Sequence, residues 1–500
     1  MLESDLIDKK HDIERHATKS SGRGSTRCLK SLLSTMLLFL LTPFYLTHLQ
    51  TQNHSTKTIA RCTIDSLHRN LSFLDNSPPI TTNEFISRRN RLALALHRLN
   101  ISTFVFEPGY TFEYYANVSQ HDWEPWEPEE RPFLMLISPV TNANGSVTAR
   151  TTFLAPAFEA GRVGTLGITV KSELEIVTWE EHWNPYGTLL KSNLFYGKPA
   201  KIMVDEEMRD YIVRGLTSVG FETIGLHRDV EAVRQQKSEA EINLLRAVNT
   251  GTVEAIRAMR PCLKVGMTEN DVKDVLDRAL LSIPGFNLFF NLVMFDEDAA
   301  SPHGGSGGNK KLEYDTMVLI DVGAHYKGYS SDVSRSLMID PPKRLLWQRL
   351  LMRALTMWNW QMSLGDEWWI RDRLDYEEKL KAWRIVFDAQ TESIKHFVPN
   401  ATAASVDIAA RDIIMKAGYG KHFTHRVGHG IGIKAHESPY LHKGNTGVRL
   451  RENMTFTSEP GIYLEGKFGV RHEDVFMVRA EEDGGPLLLS GRRAIDVRNP

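Results

Sequence analysis

Met317-Val318-Leu319-Ile320-Asp321-Val322-Gly323, followed by Gly328-Tyr329-Ser330-Ser331-Asp332, is the stretch that decides the fold of this chain. The apolar run reads as a buried strand closing on a carboxylate, and Asp332 comes after it on a second extended piece. A short turn between the two strands would bring the carboxylates together. An acid after an apolar strand is by itself most often a turn or cap residue, so the pair gains meaning only from residues further along the chain.

Three further residues complete a set. His429 lies in Gly428-His429-Gly430-Ile431-Gly432, where glycines let the backbone pass close to a crowded centre. Glu459 stands in Thr457-Ser458-Glu459-Pro460-Gly461-Ile462-Tyr463 and Glu473 in Val470-Arg471-His472-Glu473-Asp474-Val475, both read as strand residues flanked by turn signals. Four carboxylates and one imidazole form the oxygen-rich donor set of a site that holds two divalent ions through shared carboxylates. That composition points to metal-assisted hydrolysis. It also argues against a metal-free binding module, because converging carboxylates repel one another without a cation.

In this order and with these neighbours, the constellation resembles the pita-bread metallopeptidases, the family of aminopeptidase P, prolidase, methionine aminopeptidase and creatinase. The resemblance is strong over residues 235–485 and weaker before them. It implies that Asp321 and Asp332 chelate one ion, that Asp332 and Glu473 bridge to the other, and that His429 and Glu459 complete the donors of the second ion. It further implies catalytic or substrate-contacting roles for His303 in Ser301-Pro302-His303-Gly304, for His425 and for His436. Arg471 would orient Glu473 or hold a substrate carboxylate.

The cofactors so implied are two divalent ions, Mn2+ first and Co2+ or Zn2+ as alternatives. A hydroxide held between them would attack the scissile carbonyl, with Glu459 as proton shuttle and His303 and His436 as oxyanion stabilisers. The implied substrate is a small peptide with proline at its second position. The bond to proline is a tertiary amide without an N–H, and a pocket of imidazoles and apolar rings suits its ring. The expected activity is that of an Xaa-Pro aminopeptidase; the alternatives are an Xaa-Pro dipeptidase, a creatinase-like hydrolase or a metal-free binding module. A homodimer is a further expectation from the family.

The expected fold class is α/β: an N-terminal creatinase-like α/β domain over 81–228, then a pita-bread catalytic domain over 229–490 and a tail over 491–500. Glu84 to Leu99 has helical spacing, Ser102 to Phe106 and Ala200 to Val204 read as strands, and Ser238 with Glu241 opens an amphipathic helix. A second helix is expected over Thr268 to Leu281, and another from near Ala382. Gly304 to Gly308 is glycine-rich but lacks the Lys-Ser/Thr of a phosphate loop. Residues 343–381 hold Trp347, Trp358, Trp360, Trp368 and Trp369 and read as an insertion, either a helical hairpin over the site, a membrane-proximal patch or translated non-coding sequence.

Five hundred residues exceed one ordinary core, while 42% hydrophobic and 24% charged residues are globular values. The formal charge of −2 makes nucleic acid a poor partner. Residues 1–28 read as a cytosolic tail with Lys19, Arg23 and Arg27, residues 29–49 as a signal anchor, and 50–80 as a stalk. On that reading the protein is a type II membrane protein with its catalytic part lumenal or extracellular, or released as a secreted form. Seven N-x-S/T sequons, at Asn53, Asn70, Asn100, Asn117, Asn144, Asn400 and Asn453, agree with it, although Asn453 is expected to be too buried for modification. Cys28 is a palmitoylation candidate, and Cys62 and Cys262 either pair or stay free, with no disulfide framework expected.

Overall fold

The chain is described by a computed structural model over residues 55–170, 173–305, 307–342 and 369–500. Its amino-terminal part is built on a six-stranded sheet of β1 (Thr103–Phe106), β2 (Leu134–Thr141), β3 (Val147–Pro156), β4 (Glu175–Trp179), β5 (Lys201–Val204) and β6 (Glu222–Ile224). The spatial order is β4-β3-β2-β1-β5-β6, with β1, β5 and β6 parallel and β2 antiparallel to both neighbours. The central β1 is buried along its whole length, with Phe104, Val105 and Phe106 in the core and the Thr103 hydroxyl bonded to that of Ser138 at 2.7 Å.

Six helices longer than ten residues occur among the described residues. They are α1 (Thr56–Leu67), α2 (Thr82–Arg98), α3 (Glu239–Met259), α4 (Glu269–Leu281), α5 (Arg373–Ile394) and α6 (Ala403–Lys416). The capping residues explain most of the starts. Ser238 and Glu241 form the reciprocal capping box read from the sequence, and Thr268 with Asp271 repeats it on α4. Asp372 accepts from the Leu374 and Asp375 N–H groups, so α5 begins at Arg373 rather than near Ala382. Its first turns therefore occupy the end of the expected insertion, where Trp369 packs edge-on against Tyr376; residues 343–368 lie outside the described residues.

The carboxy-terminal part holds a four-stranded sheet of β7 (Phe286–Phe295), β8 (Val318–Tyr326), β9 (Tyr329–Ser330) and β10 (Val333–Leu337), in which β8 lies between β7 and β10 and also pairs with β9. A five-stranded sheet runs β12-β11-β13-β16-β17, from β11 (Gly428–Gly430), β12 (Glu437–Leu441), β13 (Thr455–Ser458), β16 (Asp474–Met477) and β17 (Leu487–Leu488). A hairpin of β14 (Gly461–Leu464) and β15 (Phe468–Arg471) stands beside it. The helices α3 and α4 share one apolar core with β7 and β8, and α5 and α6 share another with the five-stranded sheet. This is the expected α/β pita-bread arrangement. Arg88 on α2 ties the two parts, donating to the Tyr329 hydroxyl at 2.9 Å, which in turn donates to Glu241 on α3 at 2.9 Å.

Three expectations are corrected, and one of the two alternatives left open for Cys62 and Cys262 is selected. No helix among the described residues is long and apolar enough to cross a membrane. The expected anchor, 29–49, lies outside the described residues; its longest uninterrupted apolar stretch is only Met36–Leu41, cut by Thr42-Pro43, well short of the roughly 20 residues a span needs. The anchor, the membrane as a partner, and the type II, lumenal or extracellular or secreted placement are withdrawn with it. The supposed stalk contains α1, whose Ile59, Ala60, Thr63 and Leu67 are buried against α3 and α4. Cys62 on α1 forms a disulfide with Cys262, across 200 residues of sequence. Asn453 is exposed, not buried.

Candidate active site

β8 is buried over nearly its full length, and Asp321 is the carboxylate set into it. The turn after β8 has Lys327 and Gly328 at φ 49° and 85°, the left-handed pair of a two-residue hairpin that returns the chain as β9. Beyond β9 the chain enters β10, where Ser334 pairs with Asp321, so that Asp332 at the head of β10 lies close beside it. The Asp332 N–H donates to the Asn249 side-chain carbonyl of α3, which fixes the entry of the strand.

His429 is the middle residue of β11, pressed between β12 and β13. A Cβ at Gly428 would strike the Thr457 carbonyl and one at Gly430 would lie 2.7 Å from the Glu437 carbonyl, so both glycines are required by close approach of the neighbouring strands. Glu459 comes directly after β13, its N–H donating to the Val427 carbonyl at 2.7 Å. Glu473 lies between β15 and β16, its N–H donating to the Ser334 carbonyl at 3.1 Å. Both glutamates sit at strand ends and not within strands, because Pro460 and the change of sheet interrupt the ladder.

The result is one buried cluster. Single donor atoms of Asp321, Asp332 and Glu473 lie within 4.8 Å of one another, as do those of His429, Glu459 and Glu473. The His429 Nε2 is 3.4 Å from Glu459 and 3.6 Å from Asp332. Its Nδ1 lies 3.1 Å from the Gly430 carbonyl, a contact that places the proton on Nδ1 and turns the Nε2 lone pair toward the carboxylates. His436 joins the same group, with its Nε2 3.5 Å from Asp332. It is therefore placed as a candidate donor as well as a substrate contact.

The electrostatics are those of a site waiting for positive charge. Burial pushes the Glu459 carboxyl up to about 8, with Asp332 and Asp321 adding to the rise and Arg471 opposing it. Burial likewise raises Asp332 to about 6, His436 opposing and Asp321 adding. Glu473 is raised well above the carboxylate range by burial and then by Asp332 and Glu459, and its Oε1 is buried without a hydrogen-bond partner. Burial also holds His429 well below its usual range, hence neutral and free to donate a lone pair. A divalent ion would relieve all of these at once, so the donors present fit a metal.

Arg471 is a buried cation bonded directly to a carboxylate of the cluster. It donates to Asp321 at 2.6 Å, to Ser334 Oγ at 2.8 Å, to the Tyr463 hydroxyl at 2.8 Å and to the Pro302 carbonyl at 2.9 Å. Its direct carboxylate partner is Asp321, where the expectation was that it would orient Glu473 or hold a substrate carboxylate. Ser334 Oγ stands between Asp321, 3.1 Å away, and Glu473, 2.8 Å away. Ser334 and Tyr463 were missed from the sequence. Ser334 carried a signal, because Asp332, Ser334 and Ser336 alternate as polar residues along a buried strand; Tyr463 carried none.

The remaining histidines surround the entrance. His425 Nε2 is 2.8 Å from the Tyr463 hydroxyl, and burial followed by Arg471 lowers it to about 3. His303 lies in an exposed loop anchored through the Pro302 carbonyl. Both line a cavity of about 670 Å3 with Asp321, Asp332, His429, His436, Glu459, Arg471 and Glu473, and Tyr110, Phe289 and Phe290 give it an apolar wall.

Comparison with known proteins agrees with this geometry. Residues 243–360 and 368–480 match the profile of metallopeptidase family M24. An uncharacterized peptidase of Schizosaccharomyces pombe is 33% identical over 501 residues, covering 99% of this chain and 100% of that one. An Xaa-Pro dipeptidase from Bacillus anthracis superposes with a TM-score of 0.62 at 23% identity, over 82% of this chain and 98% of that one. An X-Pro aminopeptidase from Thermotoga maritima gives 0.60 at 23% identity, over 80% and 97%. At such identities the two structures speak for the fold alone. The shared fold, the metal-suited cluster and the full-length relative together place the chain in metallopeptidase family M24.

Proposed function

We propose that the chain is an exopeptidase with two divalent ions, Mn2+ first among them, that releases an N-terminal residue from a following proline. Asp321, Asp332 and Glu473 would hold one ion, and His429, Glu459 and Glu473 the other, with Asp332 close enough to share. The observation that carries the reading is the buried convergence of these five side chains with the Glu473 Oε1 left unpartnered. When bound, the ions make water nucleophilic near neutral pH and polarise the scissile carbonyl.

The chain's own residues do the rest. Glu459, ionised once it holds an ion, would accept the proton of the attacking water and hand it to the leaving proline nitrogen. Arg471 fixes Asp321 and, through Ser334, the approach of Glu473. His303 and His436, both in the cavity lining, supply N–H donors to the carbonyl oxygen. The aromatic wall of Tyr110, Phe289 and Phe290 receives the apolar faces of the substrate without requiring an amide N–H.

An Xaa-Pro dipeptidase is the second reading, supported by the likeness to the Xaa-Pro dipeptidase of Bacillus anthracis. Protein reconstituted with Mn2+ is expected to release the first residue of Xaa-Pro-Xaa tripeptides faster than it splits Xaa-Pro dipeptides. The reverse order would select the dipeptidase. Failure to split either with Mn2+, Co2+ or Zn2+, together with no metal in the purified protein, would overturn both.

A further inference from the structure

The catalytic cavity does not end at His425. That residue and Arg426 also line a second cleft of about 1040 Å3, formed by the end of α6, the loop over 418–426 and the turn after β12. Its polar walls are cationic or imidazole: Arg411, Lys421, His422, Arg426, His442 and Lys443, with no carboxylate among the lining side chains.

These cations are not equivalent. Arg411 is committed to Asp407 through two contacts of 2.9 Å and to the carbonyls of Phe423 and His425. Arg426, Lys421 and Lys443 make no ion pair among the described residues. The Arg426 guanidinium is half-buried and lies over the Tyr440 ring, 4.4 Å from its centroid, at the junction of the two cavities. A guanidinium stacked in this way keeps its edge free, and that edge is a fork matched to a carboxylate.

We propose that the cleft receives the carboxyl-terminal part of the peptide substrate, and that Arg426, with Lys443 and Lys421 beyond it, selects peptides carrying an anionic group after the proline. The inference rests on the peptidase reading and extends it to a substrate class. A peptide has a cationic amino end and an anionic carboxyl end. A cleft of unpaired cations repels the first and attracts the second, so only the carboxyl end enters it. The amino end then lies on the side of the four carboxylates, and the bond between them crosses the donor cluster. Either the terminal carboxylate or an acidic side chain satisfies Arg426, since both present the same pair of oxygens.

The test uses peptides that mimic the released product and need no turnover. Binding to the full-length, Mn2+-loaded protein is measured by calorimetry for Pro-Ala-Ala as free acid, for Pro-Ala-Ala amide, and for Pro-Ala-Glu amide. The free acid and the glutamate peptide are each expected to bind about tenfold more tightly than the neutral amide. Their difference separates a terminal from a side-chain carboxylate. Arg426→Met with Lys443→Met should bring all three within about twofold, and Lys443→Met alone, on an exposed side chain, should remove part of the preference. Equal binding of charged and neutral peptides, no binding of any, or a preference that survives the double substitution would overturn the proposal. Hydrolysis of Xaa-Pro peptides without such a preference would leave the peptidase standing and remove the cleft; the preference without hydrolysis would do the reverse.

Discussion

Loading the cluster with metal must expel protons, and the burial of its carboxyls sets how many. A carboxyl titrating at about 8, as Glu459 does, holds about 0.9 proton at pH 7, and one titrating at about 6, as Asp332 does, holds about 0.1. A metal ligand must be ionised, so these two groups together release about one proton at pH 7, about 0.5 at pH 8 and about 1.5 at pH 6. Glu473, raised well above its ordinary range, adds a further contribution, while His429, already neutral, adds none. Because the carboxyls interact, their sum is the quantity to measure. Titration of metal-free protein with Mn2+ in buffers of different ionisation enthalpy gives it directly. Release should grow as pH falls from 8 to 6, and Glu459→Gln should lower the count at pH 7. Release that grows with rising pH, proton uptake, or an unchanged count in the glutamine variant would refute the assignment of these carboxyls as ligands held protonated by burial.

Two further outcomes are expected from the scaffold. Ser334→Ala removes the hydroxyl that stands between Arg471, Asp321 and Glu473, and should weaken metal affinity by about 10-fold, read by competition with a chelating dye, while leaving the melting temperature of the metal-free protein nearly unchanged. Cys62→Ser frees α1 from Cys262 and should cost roughly 2–4 kcal/mol of stability in urea unfolding, with mass spectrometry of the alkylated wild-type chain confirming that both thiols are blocked.

Much of the site was legible because its donors sit in strongly patterned segments. The apolar run before Asp321 had to be a buried strand, and a short turn was the simplest way to return Asp332 to it. The glycines around His429 marked a real steric demand. What was not legible depended on contacts made far along the chain. The helix α1 hides in a polar stretch because only Ile59, Ala60, Thr63 and Leu67 face the core, and the surface those residues cover belongs to α3 and α4. The pairing of Cys62 with Cys262 results from that packing and has no local signature. In the same way, nothing near Tyr463 in sequence announces that its hydroxyl joins Arg471 to His425.

The donor set itself explains why sequence and structure agree most closely at this one place. Against these four carboxylates the structure sets the buried Arg471, bonded to Asp321, and a histidine kept neutral. The Arg471 charge alone cannot offset four negative ones at a poorly solvated site, so burial drives the metal-free Glu459 and Glu473 carboxyls toward their neutral forms. Protons and metal ions are thus alternative occupants of the same atoms. A fold that only needed stability would replace these carboxylates by apolar side chains of similar size, since converging acids in a core lower its stability whenever they ionise. Their presence together, each placed at a strand end or within a strand by a different element, is intelligible only if the gain lies in what they bind.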